Sequence, residues 1–102
     1  MLIKILCICG MGLGSGLLVK MGVERVLKRN GFSEREFSVD VGDISTARQV
    51  GIDMYVTTEE FSKQIGDIGV PIVEVFNLFS EDEIEEHLLE PYKQVRAAKG
   101  LE

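Results

Sequence analysis

Leu2-Ile3-Lys4-Ile5-Leu6-Cys7-Ile8-Cys9-Gly10-Met11-Gly12-Leu13-Gly14-Ser15-Gly16 decides the fold of this 102-residue chain. Residues 2–8 are nearly all apolar and β-favouring, as a strand buried on both faces requires. A thiol follows, then glycine at every second position. After Gly16, the run Leu17 to Lys28 carries the apolar spacing of a helix. A glycine-rich link between strand and helix can curl tightly, because glycine tolerates positive φ and has no Cβ. Its amides then converge as an anion-binding nest, reinforced by the positive end of the helix. A cysteine at the lip of such a nest feels the same field, which favours its nucleophilic thiolate. Cys9 is therefore expected to take up a phosphoryl group. The backbone from Gly10 through Met11, Gly12, Leu13, Gly14 and Ser15 to Gly16, with the Ser15 hydroxyl, is its expected cradle.

Outward from that stretch, strands and helices alternate. Arg29-Asn30-Gly31 reads as a helix stop. Residues 36–41 alternate apolar and polar, as an edge strand would. Residues 43–49 suggest a short helical turn capped by Asp43 or Ser45, and 51–57 a third strand. Thr58, Phe61 and Ile65 suggest a capped helix that stops between Gly66 and Gly69. Residues 70–76 give a fourth strand. Ser80 to Glu83 carries a capping-box pattern that opens a last helix with Ile84, Leu88 and Leu89 inward. Pro91 is expected to interrupt it. This order predicts one α/β domain over residues 1–100, a three-layer α/β/α fold on a four-stranded parallel sheet of order 2-1-3-4, Rossmann-like or phosphatase-like. Ligands of such sheets bind beyond the carboxyl ends of the strands at the switch point, where the first strand ends in Cys9. Thr57, Thr58 and Asn77 should lie at the same edge.

Composition narrows the function. Apolar residues make up 45% of the chain, enough for a core, and the net charge is −6. That charge disfavours nucleic acid and anionic membrane surfaces as partners. No run approaches the roughly 20 apolar residues of a membrane span, and the apolar start leads straight into folded structure rather than reading as a signal peptide. Cys7 and Cys9, separated by one residue, make a poor disulfide framework, so a reducing, cytoplasmic setting is expected.

Other readings of the glycine run fit less well. A Walker A loop needs Gly-Lys-Ser/Thr, and Gly14-Ser15-Gly16 has no lysine. A dinucleotide fingerprint would put a glycine where Ser15 stands, although Asp40 imitates the ribose-binding acid. A receiver domain needs a carboxylate at the end of the third strand, which holds Val56-Thr57-Thr58. A buried, inert Cys9 in a plain turn is the structural alternative. His87, the sole histidine, sits among acidic residues and reads as a solvated helix residue; Cys7 reads as core.

With Cys9-Gly-x-Gly-x-Gly-Ser after the first strand, the Gly51-Ile52-Asp53 entry to the third, and Val75-Phe76-Asn77-Leu78-Phe79-Ser80 after the fourth, the chain resembles the IIB components of the bacterial sugar phosphotransferase system, in the ascorbate and galactitol (lactose-ascorbate superfamily) group. The resemblance implies a phosphotransferase component that is phosphorylated on Cys9 by a IIA component and passes the group to sugar bound by a membrane IIC component. It implies no cofactor, no metal and no membrane insertion of its own. The competing enzymes, low-molecular-weight tyrosine phosphatases and arsenate reductases, resemble the chain in fold but close their loop with arginine six positions after the cysteine. Here that position is Ser15, and the nearest arginine is Arg25. A non-catalytic anion-binding module is the remaining alternative.

Overall fold

The computed structural model describes residues 2–9 and 13–101. Gly10, Met11 and Gly12 lie outside the described residues. β1 (Ile3–Ile8), β2 (Phe37–Gly42), β3 (Met54–Thr57) and β4 (Ile72–Glu74) form one parallel sheet in the order β2-β1-β3-β4. The expected topology is thus observed. Parallel strands need crossovers; these are α1 (Leu13–Arg29), a 3₁₀ turn at Ile44–Thr46 and α2 (Glu59–Ile65), with α3 (Glu81–Ala98) following β4.

Alternation along β1 assigns its side chains to two cores. Ile3, Ile5, Cys7 and Cys9 face the layer of α1 and α3, packing with Val23, Leu27, Ile84, Leu88 and Tyr92. Leu6 and Ile8 face the other layer, with Ala47, Tyr55 and Ile65. The Tyr55 hydroxyl donates to the Ala47 carbonyl, so this buried phenol is satisfied. α3 runs alongside α1 in fixed register: Arg25 meets Glu81 at 2.6 Å and Arg29 meets Glu85 at 2.9 Å. At the amino end of the sheet, Glu36 accepts from the Tyr92 hydroxyl at 2.7 Å and from Arg96 Nε at 2.6 Å, tying α3 to the start of β2.

Four expectations need correction. α1 begins at Leu13 rather than Leu17, so Gly14, Ser15 and Gly16 are helical rather than loop residues. Gly16 has a packing reason: a Cβ there would stand 2.2 Å from Val41 Cγ1, so only glycine lets α1 approach β2 this closely. Pro91 lies inside α3 without ending it; Leu88 and Tyr92, both fully buried, anchor the helix on either side. Thr58 holds the N-cap position of α2, but its side chain makes no capping hydrogen bond. Ser80 does cap α3, accepting from the Glu83 amide at 3.3 Å, whereas the Glu83 carboxylate turns elsewhere.

Candidate functional site

The carboxyl edge of the sheet is level across three strands. Cys7 stands beside Val56 in β3, and the Val75 amide donates to the Thr57 carbonyl at 2.8 Å. Thr57, fully buried, donates its hydroxyl to the Ile8 carbonyl at 2.9 Å. Thr57 thereby pins the peptide just before Cys9, satisfying a carbonyl at the sheet edge. The next residues past the strands, Cys9, Thr58 and Val75, stand side by side at this edge.

A cleft of about 520 Å³ opens there. Thr58, Glu60 and Phe61 at the start of α2 line one side, and Asn77, Leu78 and Phe79 the other, with Cys9 and Phe76 also in its wall. Cys9 is 8% exposed and free of any disulfide, as is Cys7. The two thiols differ in setting. Cys7 is fully buried in the middle of the sheet, and its pKa is pushed up to about 12, first by burial and then by the charges of Cys9, Glu24 and Asp40. It is a neutral core side chain, as expected from its place within the strand.

The β4–α3 loop is held by a group the sequence disguised. Glu83 occupies the capping-box position, yet its carboxylate accepts from the amides of Asn77, at 3.0 Å, and Phe76. Asn77 Oδ1 in turn accepts from the Phe79 amide at 3.0 Å. Of the expected edge residues, Thr58 and Asn77 join Cys9 in the cleft, while Thr57 supports it from below. His87 is elsewhere: it lines an adjoining cleft of about 470 Å³ with Glu59, Glu74 and Glu83. Glu60, Phe61 and Phe79 are additional cleft residues, brought in by separate segments. Among the described residues there is no group of three or more His, Cys, Asp or Glu placed to hold a metal ion.

The three α-helices among the described residues differ at their starts. α2 opens with Glu59 and Glu60, and α3 with Glu81, Asp82 and Glu83, each set complementing its helix dipole. α1 has no acidic residue in its first turn. The amides at its start, four residues past Cys9, have no intrahelical acceptors. Arg25, the arginine nearest the glycine run, is engaged by Glu81 on α3. No helix among the described residues is long and apolar enough to cross a membrane.

The chain matches known proteins over most of its length. The family model described as "PTS system, Lactose/Cellobiose specific IIB subunit" matches residues 4–90. A curated relative, the "Ascorbate-specific PTS system EIIB component" of Mycoplasma pneumoniae (strain ATCC 29342 / M129 / Subtype 1), is 28% identical, over 84% of this chain and 90% of its own length. A strand-thiol-glycine start, a parallel sheet of order 2-1-3-4 and a family match over most of the chain agree, and the chain belongs to the lactose/cellobiose-type IIB subunit family of the sugar phosphotransferase system.

Proposed function

We propose that this IIB component carries a phosphoryl group on Cys9 in the cytoplasm, receiving it from a IIA component and delivering it to sugar bound by a membrane IIC component. One observation carries the reading most: Cys9 stands at the carboxyl edge of β1, four residues before the one α-helix, among the described residues, whose first turn lacks a carboxylate. An incoming anion supplies the charge that Glu59 and Glu81 supply elsewhere. In the forward step the Cys9 sulfur attacks phosphorus, an S–P bond forms, and the donor keeps the electrons of its broken bond to phosphorus. In the second step the sugar hydroxyl oxygen attacks, the S–P bond breaks, the thiolate returns and the hydroxyl proton is released. Amides from Gly10 to Gly16 and the Ser15 hydroxyl are the proposed cradle, stabilising charge on the non-bridging oxygens. Such transfer rests on positioning more than on acid–base groups.

A protein partner has a surface to meet. Leu17, Leu18 and Met21 on α1 are exposed, as are Phe76 and Phe79. A Cβ at Gly22, next to Met21, would stand 3.6 Å from Glu81 Cγ and from Ile84 Cδ1, which puts Met21 beside the start of α3, just past the loop of Phe76 and Phe79. These apolar side chains therefore gather at the Cys9 end of the molecule, as contact sites do. The reading is tested by following labelled phosphoryl groups from phosphoenolpyruvate through the general phosphotransferase proteins and a IIA component. Label should accumulate on the chain and leave only when IIC membranes and sugar are added. Spontaneous release as inorganic phosphate at a catalytic rate would favour a phosphatase instead.

A further inference from the structure

Glu81 and Glu85 lie on the face of α3 that meets α1. Glu83, offset by about 200° around the helix from either, points instead to the β4–α3 loop, where one carboxylate serves two backbone amides, those of Phe76 and Asn77. That loop has apolar anchors at Val75 and Leu78, both buried in the core that also contains Cys9. Between the anchors the side chain of Phe76 is 94% exposed. Packing of side chains thus does not fix the loop at Phe76; the charge-assisted hydrogen bonds from its backbone to Glu83 do. The same loop forms one wall of the cleft in which Cys9 sits.

We propose that Glu83 is a positioning residue for Cys9: by holding the Phe76 and Asn77 amides it fixes the cleft wall and so sets how readily a reacting group reaches the thiol. In the phosphoryl-carrier reading, on which its physiological meaning rests, Glu83 controls the approach of donor and acceptor without touching the phosphoryl group. Glu83→Ala removes both acceptors. Glu83→Gln keeps one acceptor oxygen but sets an NH₂ donor against an N–H donor at the second amide.

The test uses iodoacetamide and needs no phosphoryl donor, so it stands or falls separately from phosphorylation of Cys9. The alkylation rate of Cys9 is measured in the native chain, Glu83→Gln, Glu83→Ala and Ser80→Ala. The last variant weakens the start of the same helix while leaving the carboxylate in place. Loss of charge-assisted bonds predicts a rate change of about tenfold in both Glu83 variants, with a change under about twofold in Ser80→Ala. Unchanged rates in the Glu83 variants, or an equal change in Ser80→Ala, would overturn the proposal. Hydrogen exchange on the native chain gives a second reading that does not depend on how the variants fold. The Phe76 and Asn77 amides, outside β4, should be protected like strand amides; exchange at the rate of an unstructured chain would overturn it equally.

Discussion

Replacing Gly16 with alanine tests how α1 is seated, and through it the position of the helix start that follows Cys9. The added Cβ would lie 2.2 Å from Val41 Cγ1. Ordinary carbon contacts begin near 3.5 Å, so helix or side chain must move by about 1.3 Å. Valine is stiff at χ1, which limits how far Val41 can give way, and overpacking of this severity costs about 3 kcal/mol. Alanine returns about 1 kcal/mol of helix propensity. The net loss is about 2 kcal/mol, a fall in melting temperature of roughly 8–16 °C for a domain of this size. Val41→Ala removes the clashing methyl and leaves Val41 Cβ, the next atom at 3.4 Å. In that background only the propensity gain remains, so Gly16→Ala should stabilise by about 1 kcal/mol, giving a coupling of about 3 kcal/mol in a double-mutant cycle. Urea and thermal unfolding of the four proteins measure it. A Gly16→Ala protein as stable as the native one, or the same loss in both backgrounds, would refute the close-approach account.

Two further outcomes follow from the same packing. With its pKa near 12, about one Cys7 thiol in ten thousand is ionised at pH 8, and it is fully buried. Iodoacetamide should therefore label Cys9 at least about 100-fold faster than Cys7, with Cys7 reacting only on unfolding; comparable rates on peptide mapping would contradict this. At Glu36, burial works to raise the pKa but is outweighed by hydrogen bonds from Arg96 and Tyr92, so the carboxyl is held below its ordinary value. A depressed folded-state pKa adds stability that is complete above the unfolded value near pH 4.3 and is lost as pH falls through the folded one. The native chain should exceed Glu36→Gln by about 2 kcal/mol at pH 7, and the gap should close on acidification below about pH 4; a constant gap would show that Glu36 is not the titrating group.

The sheet order and the place of Cys9 were legible because β1 is an uninterrupted apolar run and a parallel sheet of this size offers few topologies. The start of α1 was not. Leu13-Gly14-Ser15-Gly16 has weak helix propensity, and only contact with Val41 on a separate strand reveals why glycine is helical at position 16. Ser80 and Glu83 have the spacing of a capping box, and half of it forms; the carboxylate instead meets the Phe76 and Asn77 amides, a choice made by loop geometry that spacing does not encode. Pro91 reads as a break because local rules count only its missing N–H, whereas Leu88 and Tyr92 hold the helix from the core. The cleft joins Glu60 and Phe61 to Phe79 across separate segments, so no local pattern announces it.

Peptide mapping of the phosphorylated chain tests the central claim most directly. After incubation with phosphoenolpyruvate, the general phosphotransferase proteins and a IIA component, a single phosphoryl group should map to Cys9, be cleaved by iodine and survive acid that removes phosphohistidine. Cys9→Ser should abolish it, while Cys7→Ser and His87→Ala, altering a buried strand residue and a side chain in the neighbouring cleft, should retain it. Label that persists in Cys9→Ser, or that is lost in His87→Ala, would contradict the account.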